Sequence, residues 1–426
     1  MKATGLLKEL KFKGLDRNLI ELYGKEKLSL QKERYIRIVG NFIDLYGDLD
    51  VTLFSVPGRS EISGNHTDHN NGKVLAAAID LDIIAVASKC ADSVIRIKSE
   101  GYREDAVDIR ELDASKVRKN SSSAIISGIC DAFGRSGYNY GGFVACTTSD
   151  VLSGSGLSSS AAFEVICGNI LSHFYNGGKI TPIELAKAGK YSENVYFGKP
   201  CGLLDQAACA NGGFSYMDFK KNDMPVIEKL DFNLSDCGYL LCIVNTGGNH
   251  ADLTDDYASV PKEMYDCATL LGKTVLREVD EDEFISRIAY LRTLVGDRAI
   301  MRAMHFFSEN KRVELQRKAL INSDIDGFLK YVTQSGNSSF KFLQNVYTNK
   351  NEAEQGLSLA LAISERIGVV CRVHGGGFAG TIQAYVPNEK REEYKAALES
   401  VFGEGSCMFL NIRKYGAVRF DCNCIY

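Results

Sequence analysis

The densest run of residues able to do chemistry is Ser153-Gly154-Ser155-Gly156-Leu157-Ser158-Ser159-Ser160-Ala161-Ala162. Glycines here reach positive φ and let backbone N–H groups approach a ligand closely. Successive N–H groups make an anion nest. A helix starting directly behind them adds its positive end at the same point. The serines add hydroxyl donors, one of them within reach of a bound Mg2+. No Lys follows the glycines in Gly-Lys-Ser/Thr order, so this is not a Walker A loop. On its own, the run serves equally well as a Ser/Gly loop with a helix N-cap.

Three further segments carry polar density. Pro57-Gly58-Arg59-Ser60-Glu61-Ile62-Ser63-Gly64-Asn65-His66-Thr67-Asp68-His69-Asn70-Asn71-Gly72 lies between two apolar stretches. Its Asn, His, Thr and Asp offer the mixed donors and acceptors that sugar hydroxyls require, and Arg59 offers a fixed fork for phosphate or carboxylate. A surface loop with Asx-turns is the alternative. His374-Gly-Gly-Gly-Phe-Ala-Gly380 allows close backbone approach, and by itself reads as a tight turn leading into a strand. Cys201-Gly202-Leu203-Leu204-Asp205-Gln206 places one carboxylate behind an apolar pair, as expected of a partly buried Asp with a specific partner.

The elements that must position these groups follow from periodicity. Residues 1–45 carry a helical rhythm. Residues 51–56 alternate as a strand and run into a turn at Pro57-Gly58. Residues 74–87 read as a buried strand pair interrupted by Asp80 and Asp82, and 94–98 and 141–147 as strands. Residues 161–171 and 183–195 have helical spacing, and 212–218, 238–245 and 381–386 read as strands. Helices are expected over 261–273, 281–294 and 302–320, where Glu309 and residues 311–317 form a solvated charged face. His305 reads as a packed, satisfied histidine, and His374 as a group that orders the glycine turn. The change of texture near 220–235 divides the chain into 1–225 and 226–426.

The chain has 426 residues, 45% hydrophobic and 24% charged, in the ordinary globular range. Its 50 basic and 54 acidic residues leave a net charge of −4, which argues against nucleic-acid binding through bulk electrostatics. Thirteen dispersed cysteines suit free thiols in a reducing cytoplasm better than a disulfide scaffold. The N-terminal residues lack the apolar core of a signal peptide, and no apolar stretch is long enough to span a membrane. Nothing marks an oligomeric interface, and a monomer is the expectation.

Together the four segments resemble galactokinases of the GHMP small-molecule kinase superfamily, in the same order. Gly58 to Gly72 is similar to the galactokinase signature, matching at Gly58, Arg59, Gly64, His66, Asp68 and Gly72. Gly156 to Ala162 resembles the superfamily phosphate loop. Gly375 to Gly380 resembles the C-terminal glycine motif, with Ala379 where Gly is usual. Cys201 to Gln206 resembles the segment carrying the catalytic Asp. The resemblance implies an α+β, two-lobed fold: an N-terminal lobe with a mixed sheet and the phosphate loop before a helix, and a C-terminal lobe with helices on an antiparallel sheet. It implies an ATP-dependent sugar-1-kinase acting on galactose. Asp205 would face the C1 hydroxyl, with Arg59 beside it and the γ-phosphate. Gly154, Ser155, Gly156, Leu157, Ser158, Ser159 and Ser160 would cradle ATP, and Ser160 and Glu193 would hold Mg2+. Asn65, His66, Thr67, Asp68, Gly202 and Tyr257 would line the sugar site. Arg59 should depress the pKa of Asp205.

Three signature positions depart from the family pattern: its Asn is Glu61, its Glu is Asn65 and its Tyr is His69. The family Glu accepts from the C6 hydroxyl, so Asn65 opens a rival reading, a 1-kinase for galacturonate or another C6-altered sugar. A non-catalytic galactose/ATP sensor is the rival from another class. It is opposed by the intact Ser158 to Ala162 and by the presence of Asp205, Glu193 and Arg59. Mevalonate and homoserine kinases share the Ser-rich loop but lack the signature.

Overall fold

A computed structural model describes residues 1–12, 14–151, 156–221, 224–248, 253–421 and 424–426. Its strands, in chain order, are β1 (Thr52–Ser63), β2 (Lys73–Lys89), β3 (Val94–Ser99), β4 (Asp105–Asp108), β5 (Phe143–Ser149), β6 (Phe214–Asp218), β7 (Val226–Leu230), β8 (Tyr239–Asn245), β9 (Val370–Val373), β10 (Thr381–Pro387), β11 (Cys407–Leu410) and β12 (Val418–Phe420). One sheet runs β12-β1-β2-β5-β3-β4, with β6 on β2 and β7 on β6; a second runs β11-β8-β10-β9. The first is mixed, since β3 pairs β5 in parallel. The second is antiparallel throughout. The expected α+β architecture, a mixed sheet and a separate antiparallel sheet, is what the chain forms.

Successive strand side chains point to opposite faces, and both faces of the first sheet are covered. Leu53, Ile84 and Val86 pack under the N-terminal helices Ala3–Lys11, Asp16–Tyr23 and Leu28–Tyr46. Phe54, Ile83 and Ala85 pack under Ser122–Arg135 and Ser159–Tyr175. Farther along the β1–β2 hairpin, Ile62, Leu75 and Ala77 meet Leu241, Ile243 and Tyr385 of the second sheet. This shared core joins the two sheets beside the signature segment.

Two strand expectations need correction. β1 does not turn at Pro57-Gly58 but continues to Ser63. The register shifts between Pro57 and Arg59, the kind of bulge that accommodates a residue with no N–H to donate. Residues 74–87 form one strand rather than a pair, because the two apparent interruptions have partners. Asp82 is fully buried against Arg34 at 2.6 Å and Arg413 at 2.9 Å, and Asp80 pairs with Lys27 and Asn411.

The helical half also differs in detail. Pro261 lies inside the helix Thr254–Leu270 rather than at its start. The long helix Ile288–Ile321 breaks its conformation at Gly296, φ 81°. Glu309 on that helix is 0% exposed, not solvated. The later part of the chain also contributes to the first sheet: β7 pairs β6, and β12 returns to pair β1 through Leu53–Phe420 and Ser55–Val418.

Candidate functional site

Arg59 leaves β1 where the strand passes beneath the Ser-rich loop. The crossing is close: a Cβ on Gly58 would stand 2.8 Å from the Leu157 carbonyl, and the Arg59 N–H donates to that same carbonyl at 3.1 Å. The Arg59 side chain then forks. Nε donates to Asp205 Oδ1 at 2.8 Å, with Nη2 2.7 Å from the same oxygen, and Nη1 donates to the Gly156 carbonyl at 2.5 Å. Asp205 sits in the first turn of the helix Leu204–Asn211, where the helix dipole favours a carboxylate. Its second oxygen accepts from the Ser158 hydroxyl at 2.6 Å. Burial alone would raise the Asp205 pKa, but Arg59 and the Ser158 hydrogen bond outweigh it and hold the carboxyl below its ordinary range.

Ser158 is left-handed, φ 61°, and its hydroxyl turns to Asp205 instead of capping the helix Ser159–Tyr175. The N-cap alternative for this serine is thereby excluded. The first-turn N–H groups of a 17-residue helix are left facing the loop, as an anion site requires. Gly156 is also left-handed, φ 73°. Leu157 is buried in the core between the sheets, so only its backbone faces the crossing. Ser159 is half-buried and Ser160 exposed. Gly154 and Ser155 lie outside the described residues.

The glycine-rich turn closes another side. A Cβ on Gly156 would lie 3.5 Å from the His374 ring. His374 bridges Ser60 Oγ at 3.1 Å and Thr381 Oγ1 at 2.9 Å, ordering the turn as expected. Tyr257 donates to the Gly377 carbonyl at 2.7 Å, and its ring lies against Gly376, where a Cβ would come within 2.5 Å. His66, left-handed at φ 59°, donates from Nε2 to the Gly376 carbonyl at 2.9 Å. Burial and nearby His69 lower its pKa to about 4, so the ring is neutral. The Asp68 carboxylate lies 3.0 Å from where a Cβ on Gly202 would stand, so these two distant residues do meet.

Two expected sugar ligands are turned inward. Thr67 is fully buried, its hydroxyl within hydrogen-bond reach of the Gly64 and Lys73 carbonyls. Asn65 is 1% exposed, and both ends of its amide are engaged within the protein. Behind them lies a network that sequence reasoning missed. Glu309 accepts from Ser63 Oγ at 2.9 Å, the Gly64 N–H at 3.0 Å, Ser335 Oγ and Arg312 Nε at 2.7 Å. Burial opposes its charge, yet Arg312, His305 and Arg372 hold its pKa well below the usual range. His305 donates from Nε2 to the Asn65 carbonyl at 3.0 Å and accepts from Ser338, a satisfied packed histidine as expected. Glu61 has its pKa pushed up to about 6 by burial, against the pull of Arg372 and Arg59.

Glu193 is buried on the turn Ser192–Phe197, accepting from Lys199 Nζ at 3.1 Å and Gln206 Nε2 at 3.1 Å. Gln206 Nε2 also donates to Glu164 Oε2 at 2.9 Å, and Glu164 Oε1 is buried without a hydrogen-bond partner. Glu164, one helical turn beyond Ser160 and on the same face, was also missed. Burial, then Glu193, raise its pKa strongly. Among the described residues no group of three or more His, Cys, Asp or Glu could hold a metal ion. A hydroxyl, a carboxylate and an unpartnered carboxyl oxygen are nonetheless the hard-oxygen donors that suit Mg2+, which ordinarily takes its other ligands from nucleotide phosphates and water.

Comparison with known proteins finds relatives of one family over most of the chain. Residues 40–89 match the galactokinase galactose-binding signature and residues 121–213 the GHMP kinase N-terminal domain. The chain is 33% identical over 352 residues to the galactokinase of Glaesserella parasuis, covering 80% of this chain and 86% of that protein. It is 30% identical over 369 residues to the galactokinase of Streptomyces coelicolor, covering 85% and 91%. The crystal structure of Lactococcus lactis galactokinase complexed with galactose superposes with a TM-score of 0.74 at 24% identity, covering 89% of this chain and 97% of that one. Methanococcus jannaschii mevalonate kinase shares the fold at a TM-score of 0.59 and 16% identity, covering 86% and 98%.

Proposed function

The chain belongs to the galactokinase family, and on that premise we propose that it transfers the γ-phosphoryl group of ATP to the anomeric C1 hydroxyl of galactose, giving galactose 1-phosphate and ADP. The observation that carries this reading is the Arg59 fork, which ties Asp205 directly to the phosphate-loop backbone. A sugar hydroxyl delivered to Asp205 therefore arrives beside the place where an anion would be held.

Phosphoryl transfer passes through a loose transition state, so positioning and neutralisation of charge supply most of the rate. Arg59 serves both ends: it fixes the Asp205 carboxylate and presents guanidinium charge toward the transferring group. Asp205 is kept ionised, which makes it a good acceptor for the C1 hydroxyl but a weak base. It orients the nucleophile, and its proton is taken late. Ser158 would yield its hydrogen bond to that incoming hydroxyl. The segment from Gly154 to Ser160, with the free N–H groups behind it, would cradle the triphosphate. Ser160 and Glu193 would hold Mg2+, Lys199 being displaced from Glu193; the ion neutralises charge on the nucleotide phosphates when bound. Asp68, His66, Tyr257 and Gly202 would shape the sugar side. The described free cysteines and the use of ATP suit a cytoplasmic enzyme. No helix among the described residues is long and apolar enough to cross a membrane.

The test is ADP release from ATP across a panel of sugars, with 31P NMR of the product. Galactose-dependent ADP release and an anomeric phosphate are expected. Galactose binding without ADP release would instead identify a sensor.

A further inference from the structure

The signature of this chain carries a carboxylate and a carboxamide at Glu61 and Asn65, and the structure shows how they divide the work. Asn65 cannot read a ligand. Its Nδ2 donates to Glu61 Oε1 at 2.8 Å and to the Gly375 carbonyl at 2.7 Å, and its Oδ1 accepts from Asn345 Nδ2 at 2.7 Å and from Ser339 Oγ at 3.4 Å. Both amide protons and both lone pairs are thereby used inside the protein.

Glu61 is placed differently. Only its Oε1 is engaged, by Asn65; the nearest cation, Arg372 Nη2, stands 3.9 Å away, beyond hydrogen-bond range. No described residue hydrogen-bonds Oε2, and the side chain is 14% exposed where Asn65 is closed off. The register across Arg59–Ala78, Ser60–Ala77 and Glu61–Ala76 is unbroken, so Arg59 and Glu61 share one face of β1, about 7 Å apart along the strand. The free carboxylate oxygen therefore lies on the same side as the Arg59–Asp205 pair, roughly a sugar ring away from it.

We infer that Glu61, held by Asn65, is the carboxylate that reads a neutral hydroxyl of the sugar remote from C1, and that it excludes sugars carrying an anion there, uronic acids among them. The inference rests on the functional reading above. An ionised carboxylate accepts a hydroxyl proton in a charge-assisted hydrogen bond. It repels a second carboxylate brought into the same partly buried site. Asn65 is the positioning residue: its amide fixes the Glu61 rotamer and hangs both on the glycine-rich turn. The pocket thus keeps its negative charge although Asn65 is neutral, which removes the ground for a uronate substrate.

The test compares the wild type with Glu61→Gln on galactose, galacturonate and a set of monodeoxygalactoses. Thermal melting and the KM for ATP serve as controls for folding. Glu61→Gln should raise the galactose KM about 10- to 100-fold with kcat changed less than about threefold, and should shift the kcat/KM ratio toward galacturonate. One monodeoxy sugar should be a poor substrate for the wild type yet suffer no further loss in Glu61→Gln, because the hydroxyl and the carboxylate report the same interaction. A merely structural Glu61 would lower melting without this sugar-specific cancellation, and that outcome overturns the assignment. Galactose turnover with an unchanged KM in Glu61→Gln also overturns it while leaving the kinase reading intact. A wild-type preference for galacturonate over galactose overturns both.

Discussion

Arg59 and Asp205, 146 residues apart in the chain, meet through a guanidinium that contacts one carboxylate oxygen while its other arm holds the Gly156 carbonyl. Acid, cation and loop are thus one rigid unit. Replacing Asp205 by Asn keeps the shape and removes the charge. Turnover should fall about 10²- to 10⁴-fold while galactose affinity, measured by calorimetry, changes little. Near-normal kcat in this variant would remove Asp205 from the reaction.

Arg59→Lys retains a positive charge but not the fork. A single ammonium cannot reach Asp205 and Gly156 together in this geometry. We expect kcat to drop about 10²- to 10³-fold, with the acid limb of kcat/KM moving up toward the ordinary carboxylate range as Asp205 loses its strongest stabilising partner. An unchanged acid limb would mean that another group sets it.

The pH dependence of stability has a predictable sign. Burial lowers His66 and His305 to about 4 and His374 to about 3, all from 6.5. Between those values the unfolded chain binds more protons than the folded one, so stability is intact above pH 6.5 and is lost as pH falls toward 4. Glu61, raised from 4.5 to about 6, works oppositely, losing stability as pH rises through that narrower window. Glu164, raised strongly by burial, works as Glu61 does, and His173, lowered by burial to about 4, joins the other rings; four histidines outweigh two glutamates. The melting temperature should therefore decline from pH 6.5 to 4, and His305→Asn should flatten the slope. A flat profile would show that these rings are solvated.

Glu309→Gln leaves Arg312 without its partner beneath the signature turn. Chemical denaturation should register a loss of about 3 kcal/mol, and the galactose KM should rise because a neutral amide holds the Gly64 N–H and the Ser63 hydroxyl less firmly than the carboxylate does.

Gly58→Ala forces a methyl to 2.8 Å from the Leu157 carbonyl. Separating the strand from the loop should cost about 1–3 kcal/mol and raise the KM for ATP.

What could be read beforehand divides by the range of the interactions. The Ser-rich loop, the helix behind it and the residues Arg59 and Asp205 were legible because glycine content, helix-start chemistry and a familiar order of motifs are carried by short stretches of chain. The inward turn of Asn65 was not, because its partner Asn345 is 280 residues away. Glu309 looked like part of a charged solvent face for the same reason: Ser63, which fixes it, is 246 residues distant. Asp82 looked like a break in a strand until Arg34 and Arg413, 48 and 331 positions off, neutralised it. Charge on a single sequence does not disclose burial, since a buried ion and a solvated one have the same letter.

The pairing of β12 with β1 has a consequence for biosynthesis. Among the described residues, the outer edge of β1 is covered by residues 418–420, and Arg413 reaches Asp82 from the same segment. Until β12 and Arg413 have been translated, β1 presents an open edge and Asp82 has only Arg34 of its two arginine partners. The first sheet is thus begun by early strands and closed by one more than 350 residues later in the chain than β1.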